Sequence, residues 1–328
     1  MLRREFVAGL ACTLAKGARA PYRIDVHHHL YPPAYRTALG SLSAGLPAWS
    51  PEQSIEEMDR GGIATSLLSI SSPGVWFGDA EQGRRLARMV NDYGALTAKD
   101  HPGRFGLFAA LPLPDIEGSL REIEYALDTL KADGIGLLTS YGDRWLGDAS
   151  FAPIWTELDR RKTVVYTHPT TPACCGNLHN DVPAVMIEWA TDTTRTAASL
   201  LFSGTAARYP DIRWILSHGG GTTPFLLSRF QFQEASMKNK EQLLPKGLMY
   251  ELKKFYYDTA QANSAPALAA MLKLAPPSQI LLGTDFPFRT AAEVTGGLTA
   301  QHFSVRDLGA IERDNALRLL PKLAKTLR

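Results

Sequence analysis

Cysteine is scarce in this chain: 328 residues contain three, at positions 12, 174 and 175. Cys174 and Cys175 are adjacent, which rules against a disulfide framework and matches no zinc-knuckle spacing. They read as small loop side chains, with a place at the mouth of a pocket as the functional alternative. An excess of one charge is also lacking. Thirty-five Lys and Arg face thirty-three Asp and Glu, a formal net charge of +2, which argues against nucleic acid or a membrane surface as partner. There is no apolar stretch long enough to span a bilayer, no low-complexity tract and no repeat of fixed period. What remains is the composition of a soluble globular enzyme, 45% hydrophobic and 21% charged, long enough for one large barrel or two ordinary domains.

Residues 1–20 stand apart. Arg3-Arg4-Glu5-Phe6-Val7, a short apolar stretch to Ala15 and Ala18-Arg19-Ala20 before Pro21 resemble a twin-arginine signal with its cleavage site. The pattern predicts export to the periplasm. A cytoplasmic protein with an N-terminal extension is the alternative.

From Arg23 onward, runs rich in β-branched and aromatic residues alternate with segments of helical period. The predicted strands are Ile24–His29, Ala64–Ile70, Phe105–Leu111, Gly134–Thr139, Thr163–His168, Arg213–His218, Phe255–Asp258 and Ile280–Asp285. Between them, Glu117–Ala132, Phe151–Arg160 and Thr223–Gln233 read as helices. Eight such units predict a single (β/α)8 TIM barrel over residues 21–328, with a doubly wound sheet as runner-up. Two long connections, Tyr31–Glu56 and Thr170–Glu188, would lie on the face where strands end, where long loops form lids or subunit contacts.

Five residues end predicted strands on that face: His27 and His29 in R-I-D-V-H-H-H-L, His168 in V-V-Y-T-H-P, His218 in W-I-L-S-H-G-G-G and Asp285 in I-L-L-G-T-D-F-P-F. Positions two apart on a strand share a face, so His27 and His29 point together and His28 points away. His168 adds a nitrogen and Asp285 a hard oxygen. That set suits a divalent ion with an open position, zinc first, with manganese, iron or cobalt also compatible. His28 reads as packing behind the ligands, Asp25 as a turn residue, and His101, His179 and His302 as exposed.

These motifs resemble the amidohydrolase superfamily, and more narrowly its decarboxylase-rich branch of aminocarboxymuconate semialdehyde, γ-resorcylate and 6-methylsalicylate decarboxylases. The resemblance runs from about Arg23 to the end and includes M-D-R-G-G-I at 58–63 and H-P-G-R-F-G at 101–106. It implies an amidohydrolase-type barrel with one divalent metal on His27, His29, His168 and Asp285, with His218 as catalytic histidine. Binuclear members of the superfamily bridge two ions with a lysine or glutamate on the fourth strand. Here that strand, Gly134-Ile-Gly-Leu-Leu-Thr-Ser140, has neither.

Two reactions fit the constellation. A hydrolase of a lactone, amide or ester would use metal-activated water with His218 and Asp285. A decarboxylase would chelate the carboxylate and neighbouring hydroxyl of an aromatic acid, with Asp285 or His218 protonating the ring carbon. Arg229 matches a family arginine that reaches a substrate carboxylate across a subunit interface, a role suited to a planar fork, and a homodimer is the corresponding expectation. A second family arginine is replaced by Ser54, which disfavours a dicarboxylate and leaves a salicylate-like acid. Trp76, in Ser71-Ser72-Pro73-Gly74-Val75-Trp76-Phe77, and Phe288 are candidates to stack on the ring. The reading is therefore a metal-dependent decarboxylase of a small hydroxylated aromatic acid. The alternatives are the hydrolase and a non-catalytic metal-binding barrel.

Overall fold

A computed structural model describes residues 22–175 and 181–326, so the candidate export signal and His179 lie outside the described residues. Eight parallel strands form one sheet in chain order: β1 (Arg23–His29), β2 (Ile63–Ser69), β3 (Phe105–Ala110), β4 (Gly134–Leu138), β5 (Val164–His168), β6 (Arg213–Leu216), β7 (Tyr256–Asp258) and β8 (Ile280–Leu281). Helices cross between them on the outside, the arrangement that buries both faces of parallel strands. The ring closes between the last strand and the first: Val26 N donates to Leu282 O at 2.9 Å, Asp285 N to His27 O at 2.8 Å and His29 N to Phe286 O at 2.8 Å. Gly283 permits that approach, because a Cβ there would lie 2.8 Å from His27 Cβ and 2.9 Å from Asp258 Cβ.

The barrel axis is filled by Ile24, Val26, Leu67, Phe108, Val164, Tyr166, Ile215 and Leu281, capped at its lower end by Leu319, Leu320 and Leu323. Strict alternation would then put His28 inside with Val26. A register shift against β2 between Asp25 and His28 changes the parity, so that His27 and His29 face inward. His28 faces out and stacks on Phe286 with ring centroids 4.7 Å apart.

Asp25, expected as a turn residue, is fully buried and braces this irregularity. Its Oδ1 accepts from His27 N and Thr284 N, each at 3.0 Å. Its Oδ2 accepts from Thr284 Oγ1 at 2.6 Å and lies 3.0 Å from His28 Nδ1.

The strands expected to run to His218 and Asp285 end earlier, at Leu216 and Leu281, and both residues expected to end them are left-handed, with φ of 52° and 67°. For a residue with a Cβ that conformation costs about 1–3 kcal/mol, so surrounding contacts must impose it. The helix expected from Thr223 begins at Leu227, after a turn in which Gly219, Gly220 and Gly221 all have positive φ. The connection after β1 holds a short helix, Pro33–Leu39, and the one after β5 holds turns at Ala173–Cys175 and Ala184–Met186.

Asp25→Ala would strand the buried N–H groups of His27 and Thr284. We expect a loss of about 3 kcal/mol or more, seen as a lower urea midpoint with an unchanged slope.

Candidate active site

At the C-terminal mouth of the barrel, His27 and His29 from β1, His168 from β5 and Asp285 after β8 bring one ligand atom each within 4.8 Å of one another. All four are buried. His27 Nε2 lies 3.1 Å from His29 Nε2 and 3.1 Å from Asp285 Oδ1, and His29 Nε2 lies 3.1 Å from the same oxygen.

The opposite nitrogen of each imidazole is engaged by an acceptor. His27 Nδ1 meets Asp258 Oδ2 at 2.9 Å, His29 Nδ1 meets Ser69 O at 3.3 Å and His168 Nδ1 meets Pro169 O at 2.8 Å. Acceptors at every Nδ1 fix the tautomer that leaves an Nε2 lone pair for a metal. His168 Nε2 is buried without a hydrogen-bond partner, as a ligand atom would be in the absence of its ion. Three nitrogens and a hard oxygen in a dry site fit one divalent metal ion.

The charges of the metal-free cluster follow from the same contacts. Burial alone would lower the pKa of His27, but the Asp258 and Asp285 carboxylates outweigh it and raise it to about 10. Burial would raise Asp285, yet charged His27 and hydrogen bonds with His27 and His29 hold it well below the carboxylate range. Burial lowers His29, and it lowers His168 well below normal with the help of the neighbouring imidazoles. Without a metal, the proton on His27 is the positive charge that balances the carboxylates.

His218 stands beside this group rather than in it. Its ring centroid is 4.9 Å from that of His27 and 5.8 Å from that of His168. Its Nδ1 lies 3.1 Å from Ala260 O, which turns Nε2 away from that carbonyl. Burial lowers its pKa.

Two supporting residues escaped the sequence reading. Asp258 ends β7 as the other candidates end theirs; besides holding His27, it accepts from His218 N at 2.9 Å and Ala260 N at 3.1 Å through Oδ1. Gln261 Nε2 donates to Asp285 Oδ2 at 2.6 Å, and no sequence pattern marked it.

Aromatic walls come from Phe288, 5.9 Å from the His29 ring, and from Trp189, 5.6 Å from the His168 ring. Trp76 is half-buried and is not among the ring contacts of the cluster. Arg229 is exposed on the helix Leu227–Ser236. Ser54 is buried with Oγ 3.1 Å from His28 Nε2, on the outer side of β1. Cys174 is exposed and Cys175 partly so, their sulfurs 3.6 Å apart.

A parallel barrel with a His-x-His pair, a third histidine and an aspartate at its mouth defines a metal-dependent barrel enzyme. The Amidohydrolase family model matches residues 24–322, and the chain belongs to that family. Decarboxylase macB of Penicillium terrestre is 36% identical over 324 residues, spanning 92% of this chain and 95% of that protein. The 6-methylsalicylic acid decarboxylase of Penicillium expansum is 36% identical over 313 residues, spanning 92% and 97%. The crystal structure of an amidohydrolase II superposes with a TM-score of 0.84 at 29% identity, covering 91% of this chain and 99% of the other.

Asp258→Asn should lower metal affinity about 10–100-fold, read by calorimetric titration of the metal-free protein. In the unsubstituted protein the metal displaces the proton that His27 holds up to about pH 10. Affinity should therefore rise with pH below that value, and paired buffers of different ionisation enthalpy should report proton release.

Proposed function

We propose that this protein is a non-oxidative decarboxylase of a small hydroxylated aromatic acid, working with one zinc ion held by His27, His29, His168 and Asp285. One observation carries the reading: three Nε2 atoms and Asp285 Oδ1 converge beside an imidazole, His218, that lies outside the donor set, in a chain whose relatives at 36% identity are decarboxylases. Three imidazoles and one carboxylate suit zinc, while manganese, iron and cobalt accept the same donors. β4 offers no lysine or glutamate to bridge a second ion.

When bound, the ion supplies a Lewis-acidic anchor for a carboxylate and the hydroxyl beside it. The remaining work falls to the chain. Phe288 and Trp189 flank the ring and limit the approach of water. Asp285 stays ionised, its outer oxygen held by the Gln261 amide. His218, kept neutral by burial, takes a proton from solvent on Nε2 and delivers it to the ring carbon that bears the carboxylate. As that carbon–carboxylate bond breaks, its electron pair restores the aromatic ring, CO2 leaves, and one proton is consumed per turnover.

We also infer a homodimer. Arg229 and Phe232 lie three residues apart on the helix Leu227–Ser236, and Phe232 is 75% exposed. A second copy covering that face would bury it and bring Arg229 to the neighbouring subunit's substrate carboxylate.

CO2 release from ortho-hydroxybenzoates, abolished by a chelator and restored by metal, tests the activity; a silent panel would remove the decarboxylase reading. His218→Ala should retain stoichiometric metal and lose turnover about 100-fold or more. Loss of metal with His218 would make it a ligand instead. Phe232→Glu should shift the dimer to monomer by light scattering and raise KM about tenfold or more, as expected for a lost charge-assisted hydrogen bond.

A further inference from the structure

A cavity of about 360 Å³ opens from His218, and none of the four donor residues lines it. Its walls include Met186, Trp189, Phe225, Ala267 and Met271. Three polar side chains reach it, His218, Thr222 and Gln261, and among the described residues no Lys, Arg, Asp or Glu does. Two of the three are already engaged: Thr222 Oγ1 lies 2.8 Å from Thr194 Oγ1, and the Gln261 amide donates to Asp285. Gly219 has no Cβ, which would lie 2.8 Å from Met271 Sδ, so the turn after β6 packs directly on the chamber wall.

A chamber without a cation gives no counter-charge to a second carboxylate or a phenolate, and spare hydrogen-bonding capacity for an added hydroxyl is slight. It rewards apolar surface. Because it opens beside His218 and away from the donor atoms, it is suited to the part of the substrate that the donors do not hold. In the decarboxylase reading His218 delivers its proton to the carbon that bears the carboxylate, and one neighbouring carbon carries the hydroxyl. The other neighbouring carbon therefore points its substituent into the space beyond His218. A methyl group would leave most of that space empty.

We propose, resting on the decarboxylase reading, that this chamber is a subsite for an alkyl chain of three or more carbons on the ring position flanking the carboxylate. The substrate class is then the 6-alkyl-2-hydroxybenzoates, with longer chains preferred over methyl and over a second hydroxyl. Chain length acts through burial of methylenes among Trp189, Phe225 and Met271. Specificity comes from walls in which, among the described residues of the same subunit, no charged side chain stands.

The test is a series of 6-alkyl-2-hydroxybenzoates from methyl to hexyl, with 2,6-dihydroxybenzoate, assayed on the zinc-loaded full chain. kcat/KM should rise about fourfold per added carbon until the chamber is full. Ala267→Phe should bring the butyl-to-methyl ratio to about one, and Met271→Ala should move the optimum to longer chains. A flat or falling series, with the methyl acid still turned over, overturns the subsite and leaves the decarboxylase reading intact. If no acid is turned over, calorimetry with the corresponding 3-alkylphenols decides. Affinity that climbs with chain length supports the chamber while the decarboxylase reading fails, and affinity that does not climb overturns both.

Discussion

The hydrogen bonds from Asp285 N to His27 O and from His29 N to Phe286 O join the last strand to the first. Three of the four donor residues, His27, His29 and Asp285, lie on the two sides of that join. Ring closure and metal-site assembly are therefore one event. Asp25 reinforces it from beneath, accepting from the backbone on both sides and satisfying the His27 N–H. The irregularity in β1 that turns two histidines inward is stable because a buried carboxylate accepts this bond.

A second carboxylate organises the chemistry above. Asp258 gives one oxygen to the Nδ1 of a donor histidine and the other to the backbone of His218. It thereby couples the tautomer of His27 to the left-handed turn that carries the proposed proton carrier. Burial sharpens both interactions, since water is not present to compete. Buried histidines and aspartates would be a liability in an ordinary core. Among the described residues the buried histidine or aspartate atom without a partner is His168 Nε2, the atom left for a metal.

Much of this was legible in the chain. The eight strands, their order and the four donor residues follow from local pattern, because buried parallel strands must be apolar runs and donors must sit where those runs end. What escaped depends on neighbours far away in sequence. Asp258 carried the same strand-end mark as the ligands, but its task is set by which nitrogen of His27 it meets. His218 and Asp285, expected at the ends of β6 and β8, lie beyond them and are left-handed, a conformation imposed by tertiary contacts that residue type does not announce. Asp25 looks like a turn former and acts as a clasp, because the register shift in β1 is defined only against β2. The late start of the helix at Leu227 reflects three successive glycines bent into the turn after His218.

The distance along the chain across the ring's join has a consequence for biosynthesis. His29 and Asp285 are separated by 256 residues. At ribosomal rates that interval lasts on the order of tens of seconds. Throughout it the imidazoles of the first strand exist without their carboxylate, as a nascent chain with soft affinity for any passing cation. Selection of the correct ion is thus deferred until the eighth strand has been made, and faithful metallation depends on closure of the ring rather than on the first strand alone.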